Sequence, residues 1–357
     1  MTPLQAHSHP YKEILLLQRH STTQRHIMTN HKIPDSILSG DTADVYFIRT
    51  KTILAQEGID PVVVMEIFPG RAGILCGVGD VVDLLRKAAP HAQVEALDES
   101  AAMSAKQVVL RIRAHYSSFG LYETAMLGML AHPSGWATAA REIVTAAAPT
   151  PVISFGARHV HPNVSAQLEY AAVIGGGVTG ATPAGARLAG TEPSGTIPHS
   201  MVLIFGDTVR AAEAFDKWMP REINRIALVD TFHDEAEEAV RVARAMGNRL
   251  WGIRLDTPSE RGRVTPDLVK EVRARLDQAG CPAVKIVVSG GMDLERIKLF
   301  RGTNAPVDAY GVGSAISAAP PIDFTGDLKE IDGKPIAKRG RIPGLTNSPG
   351  LKKVTLE

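Results

Sequence analysis

The sequence predicts an α/β protein in which parallel strands form a barrel beside a second, mixed domain. From residue 151 onward, short apolar runs are followed by Gly, Asp or Ser and then by an amphipathic helical pattern, which is typical of βα units. Seven such runs are present, and the last two end in glycine turns. The length of 357 residues suits two domains or one large barrel with an appendage.

The seven barrel strands are predicted at 152–155, 171–174, 201–205, 225–229, 250–255, 283–288 and 308–312, which defines a barrel domain over 151–320. In the mixed domain, 39–150, strands are predicted at 44–48 and 61–68 and helices at 80–88 and 105–147. The polar segment 321–357 turns at Asp332-Gly333 and is expected to add strands to that domain.

Residues 1–38 are expected to form a flexible tail, because they contain five of the twelve histidines and few large apolar side chains. The sequence leaves open whether translation starts at Met1 or at Met28.

The composition points to a small-molecule partner. A hydrophobic fraction of 44% excludes disorder, and 39 basic against 38 acidic residues with 5% aromatics argue against a nucleic-acid binder. No apolar stretch approaches the ~18 residues of a membrane span. The scarcity of cysteine, with only Cys76 and Cys281, indicates a reducing compartment, so a cytoplasmic location is predicted.

The two glycine turns are candidate phosphate-binding loops. Late βα loops of a barrel commonly hold a phosphate, because glycines expose backbone N–H groups to the anion. The alternative is that these glycines only permit tight turns. The residues concerned are Ser289, Gly290 and Gly291 after one strand and Gly311, Gly313 and Ser314 after the next.

Other candidate residues stand at the ends of predicted strands. Arg254 and Asp256 share one face of a strand and either serve a site at the barrel mouth or form a plain ion pair there. Asp230 is a carboxylate that can orient a histidine such as His199. Phe155 and Arg158 suit a planar anion, although a core phenylalanine and a surface arginine would give the same pattern.

Taken in order, these motifs resemble the nicotinate phosphoribosyltransferase family, in particular its shorter archaeal and bacterial branch. No single motif is specific, but eight follow one another between Ser39 and Ser314. They lie at 40–46, 122–124, 155–158, 195–200, 229–231, 254–256, 289–291 and 311–314.

The resemblance implies an irregular seven-stranded α/β barrel of the type II phosphoribosyltransferase kind, with an α/β sandwich domain built from both chain ends. It implies a homodimer or dimer-based oligomer whose sites lie at the subunit interface. The implied reaction belongs to NAD biosynthesis and joins nicotinate to phosphoribosyl pyrophosphate. ATP hydrolysis would be coupled through a phosphohistidine at His199, which makes the enzyme ligase-type.

The resemblance also assigns roles to the candidate residues. Phe155 would stack on the pyridine ring, Arg158 would bind its carboxylate, and Tyr46 of the other subunit would cover the opposite face. Asp230 would orient His199. The remaining assignments are the base and the ribose or Mg²⁺ end for Arg254 and Asp256, and the 5′-phosphate for Ser289, Gly290, Gly291, Gly311, Gly313 and Ser314.

Two departures from the family pattern bear on the substrate. His159 stands where many relatives have a second arginine, and residues 175–183 contain no carboxylate, which favours nicotinate over nicotinamide. Two alternatives stay open. One is a related transferase for quinolinate or another base, for which the sequence offers only Arg158, His159 and Arg254 as cations. The other is a non-catalytic dimer that binds phosphorylated metabolites.

Overall fold

The computed structural model describes residues 33–356. The start of the chain, including Met28 and most of the predicted tail, lies outside the described residues. Ile33 is buried, and a short helix follows it at Asp35–Leu38. Among the described residues, no helix is long and apolar enough to cross a membrane.

The part of the chain before residue 151 is mixed. Its elements, in order, are α1 (Asp35–Leu38), α2 (Val45–Gln56), β1 (Val62–Pro69), β2 (Gly73–Ile74), α3 (Val78–Ala88), β3 (Gln93–Ala96), β4 (Ala102–Met103), β5 (Leu110–His115), α4 (Tyr116–Phe119), a 3₁₀ turn at Gly120–Tyr122 and α5 (Glu123–Ala147).

The central part alternates strands and helices. Its elements are β6 (Val152–Ser154), a 3₁₀ turn at Gly156–His159, α6 (Pro162–Ile174), β7 (Thr179–Gly180), α7 (Pro183–Ala189), α8 (His199–Phe205), α9 (Thr208–Trp218), β8 (Ile226–Leu228), α10 (Glu235–Met246), a 3₁₀ turn at Gly247–Arg249, β9 (Gly252–Leu255), a 3₁₀ turn at Ser259–Arg261, α11 (Pro266–Gln278), β10 (Lys285–Val288), α12 (Leu294–Gly302), β11 (Ala309–Val312) and α13 (Ser314–Ser317).

The last strands are β12 (Phe324–Ile331), β13 (Lys334–Pro335) and β14 (Lys352–Val354). They join strands from the first part in an antiparallel sheet of order β13-β12-β1-β5-β3-β14. Asp332 and Gly333 form the tight turn between β12 and β13, both with positive φ, as predicted.

The central strands form a parallel sheet of order β7-β6-β11-β10-β9-β8, and its inter-strand pairs are all parallel. The α/β barrel class is confirmed. Seven strands were expected, but the sheet has six among the described residues, and β7 and β8 form its ends.

Three predicted strands are helices instead. The 171–174 run is the last turn of α6, which begins with Pro162 at its first position and is capped by the His161 side chain. The 201–205 run lies in α8, and 44–48 lies largely in α2. Short apolar runs fit a strand and a helix equally well, and of these three helices only α6 has a clear helix-start signal. The predicted helix at 105–147 begins only at Glu123, because Leu110–His115 is a central strand of the antiparallel sheet.

Helix α5 connects the two sheets. Met126 and Leu130 are buried in the core of the antiparallel sheet, whereas Trp136 and Ala140 on the same helix are buried in the barrel core. The Trp136 indole N–H donates to the carbonyl of Ser317, 3.2 Å away. This packing holds the antiparallel sheet against the barrel.

Candidate active site

The candidate active site lies at the C-terminal edge of the parallel sheet. Because parallel strands run in one direction, residues that follow them converge at this edge. The predicted residues at this edge are Phe155 after β6, Asp230 after β8, Arg254 and Asp256 at the end of β9, Ser289, Gly290 and Gly291 after β10, and Gly311, Gly313 and Ser314 in and after β11.

The structure places His199 against Asp230. Nε2 of His199, the first residue of α8, lies 3.0 Å from Oδ1 of Asp230. Oδ2 of Asp230 accepts the backbone N–H of Asp256 at 2.9 Å. Burial raises the pKa of the Asp230 carboxyl above its ordinary value, and the neighbouring His199 opposes part of that rise. Asp230 therefore fixes the imidazole and the start of the β9 loop together.

Arg254 is the centre of a hydrogen-bond network. Its Nη2 lies 2.6 Å from Oδ2 of Asp256, and its Nε donates to Oγ of Ser289 at 3.0 Å. Its Nη1 donates to Oγ1 of Thr196 at 2.7 Å. The Arg254 side chain is only 15% exposed, so this is a fixed internal arrangement rather than a solvated rim ion pair.

The Arg254 guanidinium also lies 5.6 Å from the centre of the Phe155 ring. Gly311 makes room for that ring, because a Cβ at position 311 would overlap it. A Cβ at Gly313 would lie 2.7 Å from Cε1 of His159. A side chain at either glycine would therefore displace Phe155 or His159. This is a structural reason for glycine at both positions, besides the phosphate binding predicted for them.

Gly290 and Gly291 form a different kind of turn. Both have positive φ, +80° and +67°, which an L side chain rarely adopts. A Cβ at Gly290 would lie 3.1 Å from Oδ1 of Asp256, which already accepts from Ser289. The backbone of this turn therefore packs directly against Asp256, which belongs to the Arg254 network.

Two predicted residues stand apart from this network. Arg158 is exposed in the 3₁₀ turn after β6. Tyr46 is 56% exposed on α2, in the mixed part of the chain, and its hydroxyl donates to Asp44 at 3.2 Å. The role predicted for Tyr46 requires a second subunit, and it stays a prediction.

Sequence reasoning missed the residues that support the β9 loop. Glu235 is 4% exposed, and its Oε1 accepts from the hydroxyl of Thr257 at 2.8 Å. Its Oε2 lies 3.8 Å from Nη2 of Arg261. A glutamate at the start of a helix is common in sequences, so no local signal marked this one.

Sequence reasoning also missed a carboxylate beside the 175–183 segment. The fully buried Glu169 of α6 accepts the backbone N–H of Ala181 at 2.7 Å and the hydroxyl of Thr182 at 2.5 Å. Both contacts are with the segment itself, so Glu169 anchors this loop. The segment itself contains no acid, but Glu169 places a carboxylate directly beside it.

The site residues do not fit a metal ion held by the protein alone. No group of three or more His, Cys, Asp or Glu within residues 33–356 could hold one. The two oxygens of Asp256 are engaged by Arg254 and Ser289. Those of Asp230 are engaged by His199 and a backbone N–H.

Two family models match consecutive parts of the chain. The N-terminal domain model of quinolinate phosphoribosyl transferase matches residues 44–134, and the C-terminal domain model of the same family matches residues 136–327. The second match alone spans the parallel sheet and the site edge.

A crystal structure of nicotinate-nucleotide pyrophosphorylase from Pyrococcus furiosus is 43% identical, with a TM-score of 0.81 over 90% of this chain and 82% of that one. NadC from Streptococcus pyogenes shares the fold, at 17% identity and a TM-score of 0.64 over 85% of this chain and 99% of that one. Nicotinate phosphoribosyltransferase pncB1 of Mycobacterium tuberculosis is 31% identical over 70% of this chain and 55% of its own length. The chain spans about half the length of the curated relatives it matches.

Proposed function

The chain belongs to the quinolinate phosphoribosyltransferase family, and from that premise we propose that it transfers a phosphoribosyl group to quinolinate. The products would be nicotinate mononucleotide, pyrophosphate and CO₂, and the nucleotide would enter NAD biosynthesis. The observation that carries this proposal is the match of both family domains to consecutive parts of the chain, the second of which contains the Arg254 network.

The resemblance to the nicotinate phosphoribosyltransferase family is wrong at the level of family. Both matching models describe quinolinate transferases. The 43%-identical structure is matched over 82% of its own length, whereas nicotinate phosphoribosyltransferase pncB1 is matched over 55% of its length. The ATP-coupled, ligase-type reaction on nicotinate and the phosphohistidine at His199 were implied by that resemblance, so these predictions are wrong as well. Loss of CO₂ makes the quinolinate reaction irreversible, so it needs no ATP to drive it.

The charges at the site edge suit a dicarboxylate better than the sequence indicated. Quinolinate carries two adjacent carboxylates on a pyridine ring, so a binding site needs more than one cation beside a flat apolar face. Phe155 and Arg254 provide the face and a first cation. His159 lies at the same edge beside Gly313 and would bind the second carboxylate. Arg254 and His159 were both among the cations that the sequence offered, and the fold brings them to one edge.

The proposed reaction has two steps. The pyridine nitrogen forms a bond to C1 of the ribose as the bond from C1 to the pyrophosphate oxygen breaks, and the electron pair leaves with pyrophosphate. The ring–carboxylate bond at C2 then breaks, CO₂ leaves, and the remaining pair at C2 takes a proton from water. The first step passes through a cationic ribose, which the carboxylates of Asp230 and Asp256 would stabilise.

Mg²⁺ is proposed only as the counter-ion of the pyrophosphate group. Each carboxylate oxygen of Asp230 and Asp256 already has a hydrogen-bond partner, so we propose that Mg²⁺ is held mainly by the pyrophosphate oxygens. The roles proposed for these side chains do not depend on it. We also infer a cytoplasmic homodimer, which is supported by the free cysteines Cys76 and Cys281 and by the exposed position of Tyr46.

A substrate panel tests the proposal. Purified full chain with phosphoribosyl pyrophosphate and Mg²⁺ receives quinolinate, nicotinate or nicotinamide in the absence of ATP, and pyrophosphate release is measured. We expect quinolinate to give kcat/KM at least tenfold above either other base. Equal or faster release with nicotinate would contradict the proposed substrate, and no release with any base would contradict catalysis.

A further inference from the structure

The loop between β9 and α11 contains an arginine in an unusual backbone conformation. Arg263 has φ +64° and follows Gly262 at φ +86°. A left-handed conformation at a residue other than Gly, Asn or Asp is uncommon and costs free energy. The backbone N–H of Arg263 donates to the carbonyl of Pro258 at 3.0 Å. The loop therefore folds back on itself and returns Arg263 to the site edge.

Arg263 lies directly against the Gly290–Gly291 turn. A Cβ at Gly291 would overlap Nη1 of Arg263, so the guanidinium occupies the space beside that glycine. On its other side, the turn touches Asp256 at Gly290. Arg263 and Asp256 thus lie against adjacent glycines of the same turn.

The charge of Arg263 is not neutralised by an ion pair. Within residues 33–356, its guanidinium has no hydrogen-bonded carboxylate, and it interacts electrostatically with Glu260 and Arg296. Arg296 is a like charge, whose pKa is lowered first by burial and then by Arg263. The Nε of Arg296 is buried without an acceptor. Two arginines whose charges repel each other in this way favour a bound anion.

The neighbouring acids are engaged elsewhere. Asp293 accepts the backbone N–H of Arg296 at 2.8 Å as the cap of α12. Glu260 accepts from Ser259 at 3.1 Å. Neither carboxylate accepts a hydrogen bond from the guanidinium of Arg263 or Arg296 within the described part of the chain.

The loop is also held in place before any ligand arrives. Buried Glu235 binds Thr257 at the root of the loop and lies near Arg261 in its middle. Nη2 of Arg296 donates to the carbonyl of Val264 at 2.5 Å, immediately after Arg263. A binding group that is already positioned loses less conformational entropy when its ligand binds.

We infer that Arg263 is a phosphate-binding residue of this site. Its guanidinium, supported by the charge of Arg296, binds a phosphate group that rests on the Gly290–Gly291 turn. The inference rests on the proposed function, because phosphoribosyl pyrophosphate is its source of phosphate. The phosphate is either the 5′-phosphate or part of the pyrophosphate, which share the same chemistry.

The test titrates the full chain with ribose 5-phosphate and with inorganic pyrophosphate by calorimetry. The variants are Arg263→Gln and Arg263→Lys, with Arg275→Gln as the matched control, since Arg275 is exposed on α11 and pairs with Glu271. Arg263→Gln should weaken one of the two ligands at least tenfold, which identifies the phosphate concerned. Arg263→Lys should lie between Arg263→Gln and the wild type, because lysine keeps the charge but not the planar fork. Arg275→Gln should match the wild type.

Binding of both ligands by folded Arg263→Gln within twofold of the wild type would overturn the inference, as would absence of binding by the wild type. Thermal melting checks that each variant folds. The proposed function can fail separately. If phosphate binding depends on Arg263 but the protein does not use quinolinate, the inference about Arg263 holds and the proposed substrate is wrong.

Discussion

The Asp230 carboxylate lies 3.0 Å from Nε2 of His199, and its other oxygen accepts a backbone N–H from the neighbouring strand end. One buried group thereby connects a helix start to the β9 loop. Asp230→Asn keeps an acceptor for the backbone but removes the charge beside the imidazole. We expect kcat/KM to fall about tenfold, as for loss of one charge-assisted hydrogen bond.

A double-mutant cycle separates this contact from general damage. If His199 acts through its contact with Asp230, His199→Ala combined with Asp230→Asn should lower kcat/KM less than the product of the two single effects. Fully multiplicative losses, measured in variants that melt like the wild type, would show that the contact does not matter for turnover.

Arg254→Gln should lower kcat/KM about ten- to a hundredfold, because it removes charged hydrogen bonds of about 1.5–3 kcal/mol from a largely buried site. Steady-state kinetics with quinolinate measure the loss. Arg249→Gln is the matched control, since Arg249 is 51% exposed and pairs with Asp216 away from the site. Equal losses in the two variants would remove the special role given to Arg254.

Gly311→Ala should destabilise the protein by about 1–3 kcal/mol, because the added methyl group overlaps the Phe155 ring and forces it to move. Urea unfolding measures the change. Gly302→Ala is the control, because a Cβ at that position meets no atom within 4 Å. If the two variants are equally stable, Phe155 is not held in the position described.

Glu123, at the start of α5, gives a prediction for pH. Burial, followed by the charge of Asp327, raises its pKa from 4.5 to about 7, although Lys338 opposes the shift. The folded state therefore binds this proton more tightly, so its contribution to stability is present below pH 4.5 and is lost as the pH rises to 7.

Glu123→Gln should remove this loss, so that its melting temperature rises relative to the wild type between pH 5 and 7. Glu142→Gln is the control, because Glu142 is exposed on the same helix. A constant difference between Glu123→Gln and the wild type across this pH range would contradict the shift.

The strands that sequence reasoning predicted correctly share a clear local signal. The segments 225–229, 250–255, 283–288 and 308–312 combine β-branched residues with a polar or glycine residue at the C-terminal end, and each contains a strand. The 171–174 and 201–205 runs have the same kind of ending, at Gly175 and Gly206, so this signal alone does not distinguish a strand from a helix. They lie in the helices that begin at Pro162 and His199, and only the first of these helices has a side-chain cap.

The site was predictable where it depended on strand ends and unpredictable where it depended on distant partners. Arg254 and Asp256 stand two residues apart on one strand, so their common face followed from periodicity. Contact between Arg263 and Gly291 requires a left-handed loop residue, which no local pattern signals in an arginine. The argument for nicotinate rested on the family resemblance, and the matches to the quinolinate transferase domains overturn it.

Release of CO₂ from quinolinate is the direct test of phosphoribosyl transfer with decarboxylation. The full chain receives phosphoribosyl pyrophosphate, Mg²⁺ and quinolinate labelled with ¹⁴C in the 2-carboxylate, without ATP, and both volatile label and nucleotide are counted. We expect one labelled CO₂ for each nicotinate mononucleotide formed, and no label released when phosphoribosyl pyrophosphate is omitted. Label that stays in the non-volatile fraction while the same preparation converts nicotinate to its nucleotide would contradict this expectation.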